Sequence, residues 1–212
     1  MNLTMGLKRG AFIVIEGVDR TGKTTQAKKL VESLKNKQVP AEYMNFPDRK
    51  TDIGEVINSY LTSKNDLSNE AIHLLFSANR WEKVNYVKEK ILNGVTVIVD
   101  RYCFSGVAYS AAKGLDLSWC KSPDAGLPKP DKVFFFTLPL EHVQQRNGFG
   151  SERYEVPEFQ KKVTATYMKL KEDNWDMLDA SRSLEVIHKE LVEKVLSVVD
   201  GVDNKPIEKI WV

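Results

Sequence analysis

Gly17-Val18-Asp19-Arg20-Thr21-Gly22-Lys23-Thr24 is a glycine, four residues, and then Gly-Lys-Thr. That spacing builds a loop whose backbone N–H groups can wrap a phosphate, because glycine accepts the dihedral angles the wrap needs. The lysine reaches phosphate oxygens, and the threonine hydroxyl is a hard ligand for Mg²⁺. A pattern this restricted arises by chance in a chain of this length with a probability of about 1%. The implied chemistry is the holding of ATP, with Arg20, Thr21, Gly22, Lys23, Thr24 and Thr25 as candidate contacts. The plainer alternative, a glycine turn after a strand, is disfavoured by the strand-like run before it and the helical run behind it. Asp100 follows the β-branched run Val95–Val99. A carboxylate there would stand beside the phosphate loop and hold Mg²⁺, commonly through water; an Asp ending a strand is also a common turn former.

These residues need a scaffold, and the hydrophobic periodicity describes one. Phe12–Ile15 reads as a buried central strand, and Thr24–Lys37 as a helix with Ala27, Leu30, Val31 and Leu34 on one face. Tyr43–Phe46 is a weaker strand, Ile53–Leu61 an amphipathic helix, and Ser68–Leu92 one longer helical stretch ended by Gly94. Val95–Val99 and Val133–Leu138 are apolar runs of the kind buried inside parallel sheets. Leu140–Arg146 looks helical, Gly148 and Gly150 break it, and Pro157–Asp173 is a helix with proline near its start. Trp175–Leu178 is a last strand, Ser183–Val199 a last helix, and Gly201–Val212 a polar tail. Alternating strands and helices predict a doubly wound parallel sheet flanked by helices, with ligands at the carboxyl ends of the strands.

Composition narrows the partners. The 212 residues, 42% hydrophobic and 28% charged, suit a single globular domain. With 31 Lys and Arg against 29 Asp and Glu, no strong field exists to steer nucleic acid or anionic membrane. Cys103 and Cys120 suggest neither a disulfide framework nor a zinc site, and the three histidines His73, His142 and His188 lack metal-ligand spacing. No apolar run approaches the roughly 18 residues of a membrane span, and Met1–Arg9 lacks a secretory apolar segment. The expectation is a cytoplasmic protein, with nuclear or mitochondrial pools left open.

Further motifs select among phosphate-binding proteins. Phe46-Pro47-Asp48-Arg49, Leu75-Phe76-Ser77-Ala78-Asn79-Arg80-Trp81, Asp100-Arg101-Tyr102 and Gly126-Leu127-Pro128-Lys129-Pro130-Asp131 follow the phosphate loop in order. Together they resemble the thymidylate kinase family, and the resemblance runs from about Arg9 to the end of the chain. It implies a P-loop nucleoside monophosphate kinase that uses ATP and Mg²⁺ to phosphorylate dTMP. The expected organisation is one domain, 1–212, with a mobile LID at about 142–157, assembled as a homodimer through helices; the Ala71–Ala78 stretch could be part of that contact or of the core.

The resemblance also implies roles. Phe76 and Arg80, four apart on one helix face, would stack on thymine and donate to its edge, though Phe76 alone also reads as an ordinary core aromatic. Arg49 and Arg101 would clamp the acceptor phosphate, a task suited to arginine's planar fork. Tyr102 would lie against the sugar C2′, Asp19 would bond the 3′-hydroxyl, and Gly106 would line the acceptor pocket. Arg146 and Arg153 edge the LID, Tyr154 would come near the bound nucleotide, and Arg182 lies in the loop expected against adenine. Asp19-Arg20 resembles the eukaryote-like class, in which the catalytic arginine sits in the P-loop; members with a LID arginine are mainly bacterial. The catalytic set is then Arg20, Lys23, Asp19 and Arg101, with Thr24 and Asp100 for the metal. Three rivals remain: a deoxynucleoside kinase, with Asp48 as base; another nucleoside monophosphate kinase; and, from a different class, a non-catalytic nucleotide switch.

Overall fold

The structure is a computed structural model that describes residues 8–139, 142–143 and 152–212. Among these, five parallel strands form one sheet: β1 (Phe12–Gly17), β2 (Ala41–Asn45), β3 (Thr96–Asp100), β4 (Lys132–Thr137) and β5 (Trp175–Asp179), in the spatial order β2-β3-β1-β4-β5. Successive side chains of a strand leave opposite faces, and the central strand shows this directly. Phe12 and Val14 enter one apolar layer, Ile13 and Ile15 the other. Both faces are therefore covered, as an all-parallel sheet requires.

The helices divide between the faces. α1 (Lys23–Asn36) packs on one, α4 (Val84–Leu92) and α5 (Cys103–Ala112) on the other, and α2 (Asp52–Leu61) and α3 (Asn69–Trp81) bury Ile57, Tyr60, Leu61 and Ile72 in a third apolar cluster. The short α6 (Leu117–Lys121) and a 3₁₀ turn, Ser122–Asp124, follow; α7 (Pro157–Leu170) joins α5, and α8 (Leu184–Gly201) joins α1. Leaving β1, the chain enters α1 on one face; leaving the adjacent β3 it enters α5 on the other. Between those two carboxyl ends opens the crevice where such sheets bind ligands.

The expected single helix over Ser68–Leu92 is two. At the break, Glu82 accepts hydrogen bonds from Thr51 and Asn79, and Lys83 pairs with Asp48 at 3.1 Å. The turn is thus held by the loop that carries Arg49. The expected helix over Leu140–Arg146 lies largely outside the described residues. The expected polar tail begins after α8, and Ile210 within it is buried.

Candidate active site

Between β1 and α1 the backbone passes through two left-handed positions, Arg20 at φ 62° and Gly22 at φ 90°. Gly17 is equally constrained, since a Cβ there would lie 2.6 Å from the Phe136 carbonyl oxygen. The first turn of α1 has no side-chain cap, so its N–H groups and the helix dipole face the crevice. Lys23 Nζ donates to the Val18 carbonyl at 2.6 Å, folded back across the loop. The Thr24 hydroxyl donates to Asp100 Oδ2, while Asp100 Oδ1 is buried with no hydrogen-bond partner among the described residues. An orphaned carboxylate oxygen beside a hydroxyl is a hard oxygen donor set, and it fits Mg²⁺.

Two cavities meet over this loop. The larger, about 1710 Å³ counting its open mouth, is lined by Arg20, Gly22, Lys23, Thr24, Thr25, Asp100 and neighbouring residues. The smaller, about 720 Å³ on the same measure, has a more apolar wall that includes Phe46, Leu61, Phe76, Tyr109 and Tyr154. Asp19, Arg49 and Arg101 line both.

Asp19 is the hub between them. Its carboxylate pairs with Arg101 and accepts from the Tyr109 hydroxyl and Gln160 Nε2, each at 2.9 Å. Burial opposes its ionisation, but Arg101, Lys23 and those two donors together hold the carboxyl below the usual range. Arg101 takes φ 67°, so both arginines flanking the junction occupy conformations that cost non-glycine residues energy and that cluster at functional sites. Arg20 Nε donates to Glu155 Oε1 at 2.6 Å, and Arg49 bonds Glu152 at 2.9 Å.

Arg80 reaches the smaller cavity from a buried position. Its Nε and Nη2 grip Asp124 at 3.0 and 2.5 Å, and the Ser77 hydroxyl adds a third bond to that carboxylate. Gly106 makes room: a Cβ there would stand 2.7 Å from Arg80 Nη2. Phe76, one turn earlier on α3, presents a half-buried ring to the same space.

Other expected residues lie elsewhere. Tyr102 does not face the cavity; it is 3% exposed, meets Phe12 edge-on, and donates to the Pro128 carbonyl at 3.2 Å. The cause is the turn: Arg101 is left-handed and Tyr102 extended, which sends Arg101 toward the phosphate loop and Tyr102 into the core. Of the two tyrosines on this segment, the one that lines the cavity, alongside Tyr154, is Tyr109, two helical turns further along α5. Arg182 bonds Glu190 and the Asp179 carbonyl and is not among the residues lining either cavity. Arg153 is turned toward the end of α2, bonding Tyr60 O and Asp66. Arg146 lies outside the described residues.

Residues without an assigned role in the sequence also build the site. Glu16, fully buried, accepts from the N–H groups of Tyr102 and Ser105 and from the hydroxyls of Ser105 and Tyr167. Asn79, also fully buried, holds the Arg49 loop through Asp48 N and O. A buried arginine on α3 demanded a carboxylate, the one signal that could have led to Asp124; Gln160 and Glu16 left none.

A phosphate loop in one cavity, sharing charged residues with a second, more apolar cavity that holds an aromatic ring and a buried arginine, is the arrangement of a P-loop nucleotide kinase. Comparison narrows the class. The thymidylate kinase family model matches residues 15–191, and the chain belongs to that family. It is 48% identical to human thymidylate kinase, over 98% of this chain and 100% of the relative, and 49% identical to the Plasmodium falciparum enzyme, over 99% and 100%. A solved thymidylate kinase from Candida albicans superposes with a TM-score of 0.86 at 37% identity, covering 95% of this chain and 98% of the other.

Proposed function

We propose that the protein transfers the γ-phosphoryl of ATP to dTMP, giving dTDP and ADP. The observation that carries this reading is the junction at Asp19, Arg49 and Arg101, where the phosphate-loop cavity meets the cavity of Phe76 and Arg80. ATP enters the first, thymine the second, and the acceptor phosphate comes to rest between Arg49 and Arg101. An oxygen of that phosphate, already anionic at neutral pH, attacks Pγ as the bond to the β-phosphate oxygen breaks. No general base is needed, so positioning and charge neutralisation dominate. Lys23 and Arg20 follow the charge on the transferring group. Thr24 and Asp100 would hold Mg²⁺ brought with ATP, which supplies further neutralisation of the phosphate oxygens. For substrates to bind, Arg20 and Arg49 exchange Glu155 and Glu152 for phosphate, and the LID, about 142–157, closes to exclude water. Arg20 in the P-loop supports reading the chain as one of the eukaryote-like class.

The deoxynucleoside kinase rival needs a base for a neutral hydroxyl. Its candidate, Asp48, is spent on Lys83 and the Lys50 N–H and is absent from both cavity linings. A coupled ADP-release assay decides: turnover with dTMP but not thymidine or water supports the proposal, and turnover with thymidine overturns it.

Phe76→Ala is expected to raise the KM for dTMP by roughly 5- to 150-fold, equivalent to about 1–3 kcal/mol of lost stacking, with the KM for ATP little changed. Steady-state kinetics in both substrates check this; equal shifts would remove the stacking role.

A pH effect follows from Lys23. Burial pushes its ammonium down to about 8, and the charge of Arg101 adds to the fall. Bound phosphates favour the charged form and raise it again, so ATP binding takes up protons near pH 8 and weakens as pH rises further. Calorimetry at pH 8 in buffers of different ionisation enthalpy should find uptake of about 0.5 proton per ATP; no uptake contradicts it.

The homodimer belongs to the same reading. Ala71, Leu74, Leu75 and Ala78 lie along one side of α3, and Leu74 is 47% exposed with Trp81 at 38% beyond it. Sedimentation velocity should show twice the chain mass, and less of it in Leu74→Glu. A cytoplasmic setting rests on two buried free cysteines. Among the described residues no helix is long and apolar enough to cross a membrane.

A further inference from the structure

Residues 202–212 fold back over the loop that follows the 3₁₀ turn Ser122–Asp124. Gly126 N–H donates to Ile210 O at 2.9 Å, Ile210 N–H returns to Leu127 O at 2.9 Å, and Lys129 N–H donates to Glu208 O at 2.8 Å. Ile210 is 1% exposed. Trp211 meets the ring of Phe104 edge-on at 5.8 Å, with Lys121 Nζ 5.6 Å over its own ring. Nearer α8, Arg9 Nε donates to Lys205 O at 2.6 Å while its guanidinium grips Asp131. The segment is therefore anchored along its length.

The loop beneath it is the one that supplies Asp124. Leu127 N–H donates to Asp124 O at 3.1 Å, closing the turn whose carboxylate holds Arg80. On its other side the turn rests against α3, where Pro123 O accepts from Ser77 Oγ and Trp81 Nε1 at 3.0 and 2.7 Å. One layer of loop is thus clamped between α3 and the returning segment. An arginine fork carries donors and no acceptor. At the wall of the base cavity it recognises a carbonyl edge and rejects an amino edge, and the ratio depends on how rigidly the fork is aimed.

We propose that residues 208–211 are a specificity-determining support: by pairing with residues 126–129 they fix Asp124, and Asp124 fixes the aim of Arg80. The segment touches no substrate and acts through another residue. Its effect falls on the acceptor base and spares ATP, whose cavity it does not approach. The proposal rests on dTMP being the acceptor.

The test compares dTMP with deoxycytidine monophosphate, which carries an amino group where thymine has a carbonyl. In Ile210→Ala, the ratio of kcat/KM for the two acceptors should fall about tenfold, with the KM for ATP within twofold of wild type. In a background of Arg80→Met with Asp124→Leu, which has no fork to aim, Ile210→Ala should leave the ratio unchanged. A purely structural staple would lower turnover with both acceptors alike; that result, or an unchanged ratio, or the same fall in the Arg80→Met, Asp124→Leu background, overturns the proposal. Should Ile210→Ala show no cooperative melt, Trp211→Ala is read by the same criteria. Wild-type enzyme inert toward dTMP would defeat the proposed function, whereas an active wild type with an unaffected Ile210→Ala defeats this inference alone.

Discussion

Arg20→Ala should lower kcat by roughly 10²- to 10⁴-fold while changing substrate affinities much less. Charge on the bridging and equatorial oxygens redistributes as the Pγ–O bond loosens, so a cation there binds the transition state better than it binds ATP. Arg20 lines the phosphate-loop cavity, and its guanidinium already holds a carboxylate, Glu155, through Nε at 2.6 Å and Nη2 at 3.3 Å. That two-point grip is one a phosphate can replace. Alanine keeps a Cβ at the left-handed position, so the backbone cost is common to both forms, and folding should be spared. Arg20→Lys should recover only part of the rate, since a point charge lacks the fork. Single-turnover measurements at saturating ATP, Mg²⁺ and dTMP are decisive. Rates within about threefold of wild type would remove Arg20 from catalysis and leave Arg146 to be tried, since Arg153 is bound to Asp66 and Tyr60.

The second large effect is on stability. Arg80 and Asp124 have side chains only 2% and 0% exposed, so neither can turn to water and each charge is compensated by the other. Asp124→Ala leaves a buried guanidinium without its counter-charge and should cost about 3–5 kcal/mol. For a domain of this size that lowers Tm by between about 6 and 20 °C. Replacing both residues, Arg80→Met with Asp124→Leu, should restore most of the loss, because packed apolar groups need no such compensation. Thermal melts of wild type and the two variants separate the cases. If Asp124→Ala melts within about 2 °C of wild type, roughly what 1 kcal/mol would produce, the pair is not sealed from water as the structure has it.

What could be read in the chain itself was what depends on neighbours in sequence. The unbroken apolar run Phe12–Ile15, the 3.6-residue stripe of Ala27, Leu30 and Leu34, and the glycine spacing of the phosphate loop are local patterns with local causes. That Phe76 and Arg80 share a helix face was legible for the same reason, since they stand one turn apart; their roles came from the family resemblance. The errors came where position depends on distant partners. Tyr102 and Tyr109 sit on one helix start and one helix face, and only the left-handed turn at Arg101 decides which of them meets the cavity. Asp124 lies 44 residues from Arg80, and Gln160 lies 141 from Asp19; no periodicity links such pairs. The break between α3 and α4 was hidden because both halves keep helical patterning, and the side chains that hold the turn bond to Thr51 and Asp48.

The strand order has a consequence for how the chain comes into being. β1 is the first strand made, yet it lies in the middle of the sheet, between β3 and β4. During synthesis its apolar face must wait for Thr96–Asp100 before gaining one neighbour and for Lys132–Thr137 before gaining the second. At about 5–20 residues per second, the second wait lasts roughly 6–24 s. Throughout it the nascent chain carries a sticky strand, unpaired until β3 is made and half-paired after, whose nearest shelter is the α1 helix that follows it. Until its partners arrive, the cover of that strand thus rests on α1, which packs against Ile13 and Ile15, quite apart from the part the helix plays in holding phosphate.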